Sequence, residues 1–305
     1  MAKNRNFLCG ASALKVCSEV LDRGLRLLKS YLDYPIEIVE KNPKGKRLIL
    51  LLHGFGASTF SWRTVMEELS KLGHVIAYDR PGFGFTPMVD RSRDGDPYSL
   101  AGQVKLLAEI ISQEAKGRPV VLVGHSAGAL IATEFALQNP GKVAALVLES
   151  PAIWRQPPRT PIISGLLRSQ AVEGFADRIL RSFEKLGMQI LRDSVFNQAS
   201  LTEEMISGYR APLTRPDWRV NLWRFTTADH RNKVRENLWQ IDFPVQVISG
   251  DHDRIVKVED TFKVTERIPG HTIYLVPNTG HLAHEEDPED FLRVVKRFIE
   301  TRVEV

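Results

Sequence analysis

Gly124-His125-Ser126-Ala127-Gly128 joins an apolar run, Val120 to Val123, to a helical run that opens at Ala127. A serine on a sharp strand-to-helix turn, flanked by small residues, presents its hydroxyl clear of the backbone at the positive end of the next helix. Such a serine is a candidate nucleophile, but a hydroxyl attacks poorly without a base. Of the eight histidines, His281 follows the apolar run Thr272 to Val276 and has no helical periodicity to satisfy. His252 and His271 lie near other strand edges, and His230 lies in an aromatic helical block. A histidine base in turn needs a carboxylate to fix its tautomer and stabilise its charged form. Asp251 and Asp253 both follow the run Pro244 to Ser249, giving the chain order Ser, Asp, His, and Glu149 at the end of Val143 to Leu148 is a third candidate. Spacing alone leaves Asp251 and Asp253 open, and Asp251 also suits a turn-capping carboxylate. His281 and His284 have a spacing found in metal sites, but no cysteine or carboxylate pattern completes one, so no metal is expected.

The elements that must position these residues alternate along the chain. Pro35 to Val39, Arg47 to His53 and His74 to Tyr78 read as strands, as do Val120 to Val123, Val143 to Leu148, Pro244 to Ser249 and Thr272 to Val276. Helical periodicity falls between them at Thr59 to Leu72, Ser99 to Glu114, Ala127 to Gln138, Val258 to Arg267 and Pro288 to Arg302. Strand runs without polar alternation, interleaved with helices, predict a mostly parallel α/β sheet covered on both faces, a doubly wound arrangement. From Pro151 to Ile241 the pattern changes: helical stretches appear without an apolar strand, and four of the five tryptophans, Trp154, Trp218, Trp223 and Trp239, lie there. This block predicts a helical cap over the carboxyl edge of the sheet, where such sheets place ligands. Ala11 to Leu32 carries Leu14, Cys17, Leu21, Leu25, Leu28 and Leu32 at helical spacing and predicts an amphipathic helix. Its apolar stripe is expected to pack on the protein's own body, and its basic face also suits a weak membrane-surface contact.

Composition excludes several classes. The 305 residues are 43% hydrophobic and 26% charged, enough to bury a large core and unlike a disordered or collagen-like chain. Two cysteines, Cys9 and Cys17, build no disulfide framework and fit a reducing, cytoplasmic setting. The N-terminus lacks the apolar run and small-residue cleavage site of a signal peptide. The net charge of +4 is carried entirely by residues 1–30, where six basic residues face two acidic ones; the rest of the chain balances 35 against 35. A neutral body gives no broad phosphate-binding surface, so no nucleic-acid partner is expected.

Beyond the elbow, His53-Gly54-Phe55-Gly56 resembles an oxyanion loop. Asp79-Arg80-Pro81-Gly82-Phe83-Gly84 resembles a D-x-x-G-x-G turn. Gly250 with Asp253, then Gly280, His281, His284, Glu286 and Pro288, match G-x-x-D and G-H-x-x-H-x-E-x-P patterns. Together these make the chain similar, from about Pro35 to Phe298, to the serine-nucleophile, esterase-like branch of the α/β-hydrolase fold superfamily. The resemblance implies Asp253 as the partner of His281, and the backbone amides of Phe55 and Ala127 as the oxyanion hole. Asp79 and Arg80 are expected to brace their loop, and His53 to order the oxyanion loop. The expected organisation is a core of residues 35–151 and 241–305, a cap of residues 152–240, and residues 1–34 as an N-terminal amphipathic helix. The expected reaction is hydrolysis of a small or medium apolar carboxylic ester through an acyl-enzyme, without cofactor. Trp154, Ile162, Phe175, Trp218 and Trp223 would form the apolar pocket. Serine rather than aspartate at the elbow separates the chain from the family's dehalogenases and epoxide hydrolases. Its carbon–carbon hydrolases typically carry asparagine before the serine and tryptophan after the histidine, where this chain has His125 and Leu282. Carbon–carbon hydrolysis, cofactor-free haloperoxidase-like chemistry and a small-molecule receptor that retains the triad remain the alternative expectations.

Overall fold

A computed structural model describes residues 25–91, 95–154 and 183–304. Eight strands form one sheet: β1 (Leu25–Tyr31), β2 (Tyr34–Lys41), β3 (Leu48–Leu52), β4 (His74–Tyr78), β5 (Val120–His125), β6 (Ala145–Glu149), β7 (Val245–Gly250) and β8 (Thr272–Val276). Their spatial order is β1-β2-β4-β3-β5-β6-β7-β8. The β1–β2 and β2–β4 pairs are antiparallel and all others are parallel. Among the described residues the helices are α1 (Met66–Ser70), α2 (Leu100–Glu114), α3 (Ala127–Gln138), α4 (Phe183–Ser194), α5 (Glu203–Arg210), α6 (Trp218–Thr226), α7 (Val234–Asn237), α8 (Val258–Thr265), α9 (Ala283–Glu286) and α10 (Pro288–Arg302).

Two-sided burial explains the uninterrupted apolar runs. In β3, Leu48, Leu50 and Leu52 enter the core shared with α2 and α3, while Ile49 and Leu51 enter the core shared with α1 and α10. The helix ends follow local capping chemistry. Ser99 accepts a hydrogen bond from the Gly102 amide to start α2, and Asp287 accepts one from the Asp290 amide ahead of Pro288 to start α10.

Two expectations change. The carboxyl-terminal part of the predicted N-terminal helix is strand β1, paired with β2 over its whole length; residues 1–24 lie outside the described residues. Leu32 and Asp33, at φ 52° and 61°, form the two-residue turn of this hairpin, a left-handed conformation with none of the usual glycine signal. Alternation along β1 buries Tyr31, whose hydroxyl donates to Glu114, and leaves Leu28, a member of the apparent helix stripe, 59% exposed. The second change lies at Thr59 to Leu72, which divides into a 3-10 turn, Thr59–Trp62, and the short α1. The turn is fixed by the Ser58 hydroxyl accepting from the Phe60 amide, and all four of its residues are buried.

The parallel topology brings the candidate residues to one edge. Phe55 follows β3, Ser126 follows β5, Asp253 follows β7 and His281 follows β8, all at carboxyl ends. Three strand spacings, about 14 Å, separate β8 from β5, so the loop carrying His281 must lean back across β7 and β6. Between β6 and β7 the described residues contain helices α4 to α7 and no strand, and α4, α5 and α6 all contribute to the wall of a cavity over this edge.

Candidate active site

Ser126 has φ 53° and ψ −113°, outside the regions that L-residues favour, at a cost of about 1–3 kcal/mol. The surroundings hold it there. Its amide donates to the Glu149 carbonyl at 2.9 Å, and its carbonyl accepts from Ala129, Leu130 and Ala152. A Cβ on Gly124 would lie 2.6 Å from the Ala129 Cα, and one on Gly128 would lie 2.0 Å from the Leu52 carbonyl oxygen. Both glycines are therefore required by close approach of backbone to backbone.

His281 Nδ1 lies 2.8 Å from Asp253 Oδ2, and both side chains are buried. Asp253 Oδ1 accepts from the Ile255 and Val256 amides at 2.8 and 2.9 Å, which fixes the carboxylate. With Nδ1–H donating to Asp253, Nε2 carries the lone pair, the tautomer a general base requires. Asp251 instead contacts His252 Nδ1 at 2.6 Å at the surface. His281 and Ser126 share the wall of one cavity of about 190 Å³.

The oxyanion loop is oriented by the atoms behind it. The Gly54 carbonyl accepts from His53 Nδ1 at 2.8 Å and from Arg80 Nη2 at 2.9 Å. In a trans peptide the C=O and N–H point in opposite directions, so these two bonds aim the Phe55 N–H away from the protein core. His53 Nε2 accepts from the Arg80 amide at 3.1 Å, and burial with the Arg80 charge holds its pKa well below the usual value, so the ring stays neutral. Asp79 accepts from the Thr59 and Phe85 amides at 2.6 and 2.7 Å. Gly84, at φ 57°, passes so close that a Cβ would lie 2.1 Å from the Asp79 carboxyl carbon. The expected bracing roles of His53, Asp79 and Arg80 are thus present in the geometry. Ala127 is the first residue of α3, and neither its amide nor that of Phe55 donates to an acceptor among the described residues.

Four residues to which sequence reasoning gave no bracing role tie the His281 loop to the serine turn. His125 Nε2 donates to the His281 carbonyl at 2.9 Å, with the two rings 4.6 Å apart. Burial, then the neighbouring His281, keeps His125 neutral by lowering its pKa well below the ordinary value. Glu149, whose carbonyl holds the Ser126 amide, receives the His284 amide at 3.0 Å and His284 Nδ1 at 2.9 Å, both on Oε1, and both side chains are fully buried. Burial opposes ionisation of both groups, but their attraction and hydrogen bonds prevail: the Glu149 pKa is lowered and the His284 pKa raised. Glu286 accepts from the Gly280 amide at 2.6 Å and the Phe196 amide at 2.8 Å, bracing the turn before His281. The available signal was the His284 and Glu286 positions in the G-H-x-x-H-x-E-x-P pattern; nothing local marks Glu149 or His125.

The pocket expectation is corrected in part. Trp218 lines the cavity with Phe55, Phe83, Met188, Leu213, Leu222 and Ile255. Trp223 is buried but does not line it, because it lies about 140° around α6 from Trp218 while Asn221 and Leu222 face the cavity. Trp154 packs against the core behind the sheet edge, with the charged groups of Arg235, Lys263 and Arg267 5.2–5.5 Å from its ring centre. Ile162 and Phe175 lie outside the described residues. The one metal-type cluster among the described residues, Glu40, His74 and Glu114, lies away from this cavity and already holds the Lys29 ammonium, 3.3 Å from Glu40 and 3.0 Å from Glu114. No described helix is long and apolar enough to cross a membrane.

Known proteins resemble this chain in sequence over most of its length. An uncharacterised hydrolase of Bacillus subtilis is 31% identical over 260 residues, covering 85% of this chain and 92% of its own. A monoacylglycerol lipase of Xenopus laevis is 27% identical over 264 residues, covering 84% and 76%. A 2-hydroxy-6-oxo-2,4-heptadienoate hydrolase of Pseudomonas putida is 28% identical over 267 residues, covering 82% and 88%. Residues 49–294 match the model of the alpha/beta hydrolase family, a span that runs from β3 past the His281 loop into α10. With its strained serine at the β5–α3 turn and its sheet of this topology, the chain belongs to the alpha/beta hydrolase family.

Proposed function

We propose that this hydrolase cleaves a carboxylic ester with an apolar acyl or alcohol portion through a serine-bound acyl intermediate. Ser126 Oγ attacks the acyl carbon while His281 Nε2 takes its proton; the imidazolium so formed is stabilised by Asp253. The oxyanion is held by the Phe55 and Ala127 amides, donors that need no reorganisation as charge develops. His281 then returns the proton to the departing alkoxide, releasing the alcohol. Water, deprotonated by the same nitrogen, attacks the acyl-serine; collapse of the second tetrahedral intermediate frees the carboxylic acid and restores Ser126.

The observation that carries this reading is the His281 Nδ1 to Asp253 Oδ2 bond of 2.8 Å, with His281 lining the same cavity as a serine in a strained turn. The apolar wall supports an apolar ester, and the Xenopus laevis relative, by its name, acts on monoacylglycerols. Carbon–carbon hydrolysis is favoured by Pseudomonas putida relatives at a similar identity. A series of p-nitrophenyl acyl esters of increasing chain length, assayed with wild type and Ser126→Ala, tests the ester reading. Multiple turnovers that vanish in Ser126→Ala are expected. Undiminished hydrolysis in the variant removes the mechanism, and turnover of a vinylogous diketone without ester turnover transfers the site to carbon–carbon cleavage. Slow single-turnover acylation accompanied by ligand binding would instead fit a receptor.

A further inference from the structure

The cavity wall is apolar with one exception in formal charge. Among its described lining residues, Arg215 alone is a lysine, arginine, aspartate or glutamate. Arg215 is held from one side: Nε and Nη2 donate to Asp217 Oδ1 and Oδ2 at 3.0 and 2.8 Å. Asp217 is anchored in turn by Asn221 Nδ2 at 3.2 Å, and Asn221 Oδ1 accepts from the buried Tyr98 hydroxyl at 3.0 Å. Asp217 does not line the cavity whereas Arg215 and Asn221 do, so the carboxylate stands behind the guanidinium. Glu37, another carboxyl that feels the Arg215 charge, contacts Arg26 at 3.9 Å.

A guanidinium presents two forked edges. The Nε/Nη2 edge is occupied by Asp217, which leaves the Nη1/Nη2 edge as a second planar pair of donors. A charged fork costs free energy in an apolar cavity unless something accepts from it, and a carboxylate matches its geometry with two parallel charge-assisted bonds. We infer that Arg215, backed by Asp217 and Asn221, is a carboxylate-binding subsite, and that the preferred substrate is an ester carrying a carboxylate at the end of its apolar chain. This deepens the ester-hydrolase reading and rests on it for the chemistry at Ser126, although the subsite itself binds without turnover.

The rival is a structural pair that merely starts α6, since Asp217 immediately precedes Trp218. Binding separates the two. In a Ser126→Ala background, titration calorimetry compares adipate monoethyl ester with ethyl hexanoate, a ligand of equal chain length that ends in methyl. The pair is measured again after adding Arg215→Met with Asp217→Asn, so that no unpaired carboxylate remains, and separately after Arg215→Lys. The preference for the monoester is expected to fall about tenfold to a hundredfold in the double substitution, the worth of a charge-assisted fork. Arg215→Lys should restore only part of it, because an ammonium is a point charge. Circular dichroism verifies that the helices persist, and Trp218→Ala, expected to weaken both ligands alike, serves as a second probe of the cavity if the double variant fails to fold. Equal affinity for the two ligands in the Ser126→Ala protein, or a preference that survives the loss of Arg215, overturns the subsite. Turnover of succinate to suberate monoesters by the wild type then stands apart: binding preference without turnover counts against the ester reading and not against the subsite.

Discussion

Replacing Asp253 with asparagine should reverse the tautomer of His281 while leaving the fold in place. The Asn side-chain oxygen can still accept from the Ile255 and Val256 amides, now 2.8 and 2.9 Å from Asp253 Oδ1. Its NH₂ group then occupies the Oδ2 position, 2.8 Å from His281 Nδ1. Two donors cannot face one another, so Nδ1 must give up its proton and accept, which leaves the proton on Nε2. The imidazole facing the serine would then donate rather than accept, and the imidazolium formed in the transition state would lose its buried anion. A loss of this kind is worth about 10⁴-fold in kcat, close to 5.5 kcal/mol at about 1.4 kcal/mol per decade. The interaction strengthens as His281 becomes charged, so kcat should fall with little change in KM. Stability, read from urea unfolding, should fall by less than about 3 kcal/mol because the backbone contacts to the side chain persist. Steady-state hydrolysis of a p-nitrophenyl ester measures both kinetic constants. A variant that keeps kcat within about fivefold of wild type would refute the assignment of Asp253 as the partner that sets the base.

Glu149→Gln should destabilise the protein by about 3–5 kcal/mol, because it leaves His284 buried without its anion. The pH dependence has a definite sign. The raised His284 pKa gives stability that is complete below its unfolded value of 6.5 and fades as pH climbs through the folded value. The lowered Glu149 pKa gives stability that is complete above 4.5 and fades as pH falls through the folded value. Urea titrations should therefore show the largest gap between wild type and variant from pH 4.5 to 6.5, narrowing on both sides; a gap that widens steadily above pH 6.5 contradicts the pairing. Gly128→Ala should fail to fold or lose at least about 3 kcal/mol, since its methyl would meet the Leu52 carbonyl oxygen at 2.0 Å. Gly187→Ala, in α4 with open space around the added methyl, should gain up to about 1 kcal/mol by the same unfolding assay. Trp218→Ala should shift the preferred acyl length upward, whereas Trp223→Ala should lower Tm without moving the length profile.

The parts of the molecule legible in the sequence are those whose signal is local. Val120 to Gly128 combines an apolar strand, a tight turn and a helix start within nine residues, and each glycine there is demanded by a contact less than 3 Å away. The bounds of α3, β8 and α10 coincide with their sequence readings; Asp287 caps the start of α10, and Pro277 and Asn278 follow β8. Tertiary pairing hid the rest. Leucines at 25, 28 and 32 obey a helical period, yet hydrogen bonding to β2 makes a strand of most of that segment. Choosing Asp253 over Asp251 needed the family pattern, since both follow β7 and only the backbone amides of Ile255 and Val256 aim one of them inward. Glu149 looked like a rival acid and instead locks His284, a contact between residues 135 apart that no local pattern encodes. Tryptophan content marked the cap region, but rotation around α6 decides that Trp218 and not Trp223 meets the cavity.

Covalent capture of the nucleophile bears most directly on the central assertion, that the hydroxyl on the β5–α3 turn is made reactive by a histidine more than 150 residues away in the chain. Incubation with a fluorophosphonate, followed by digestion and mass spectrometry, should yield one adduct per chain, on the peptide containing Ser126. Labelling should disappear in Ser126→Ala and slow by orders of magnitude in His281→Ala. An unlabelled Ser126 in a protein that still turns over esters, or an adduct on any other residue, would contradict the account.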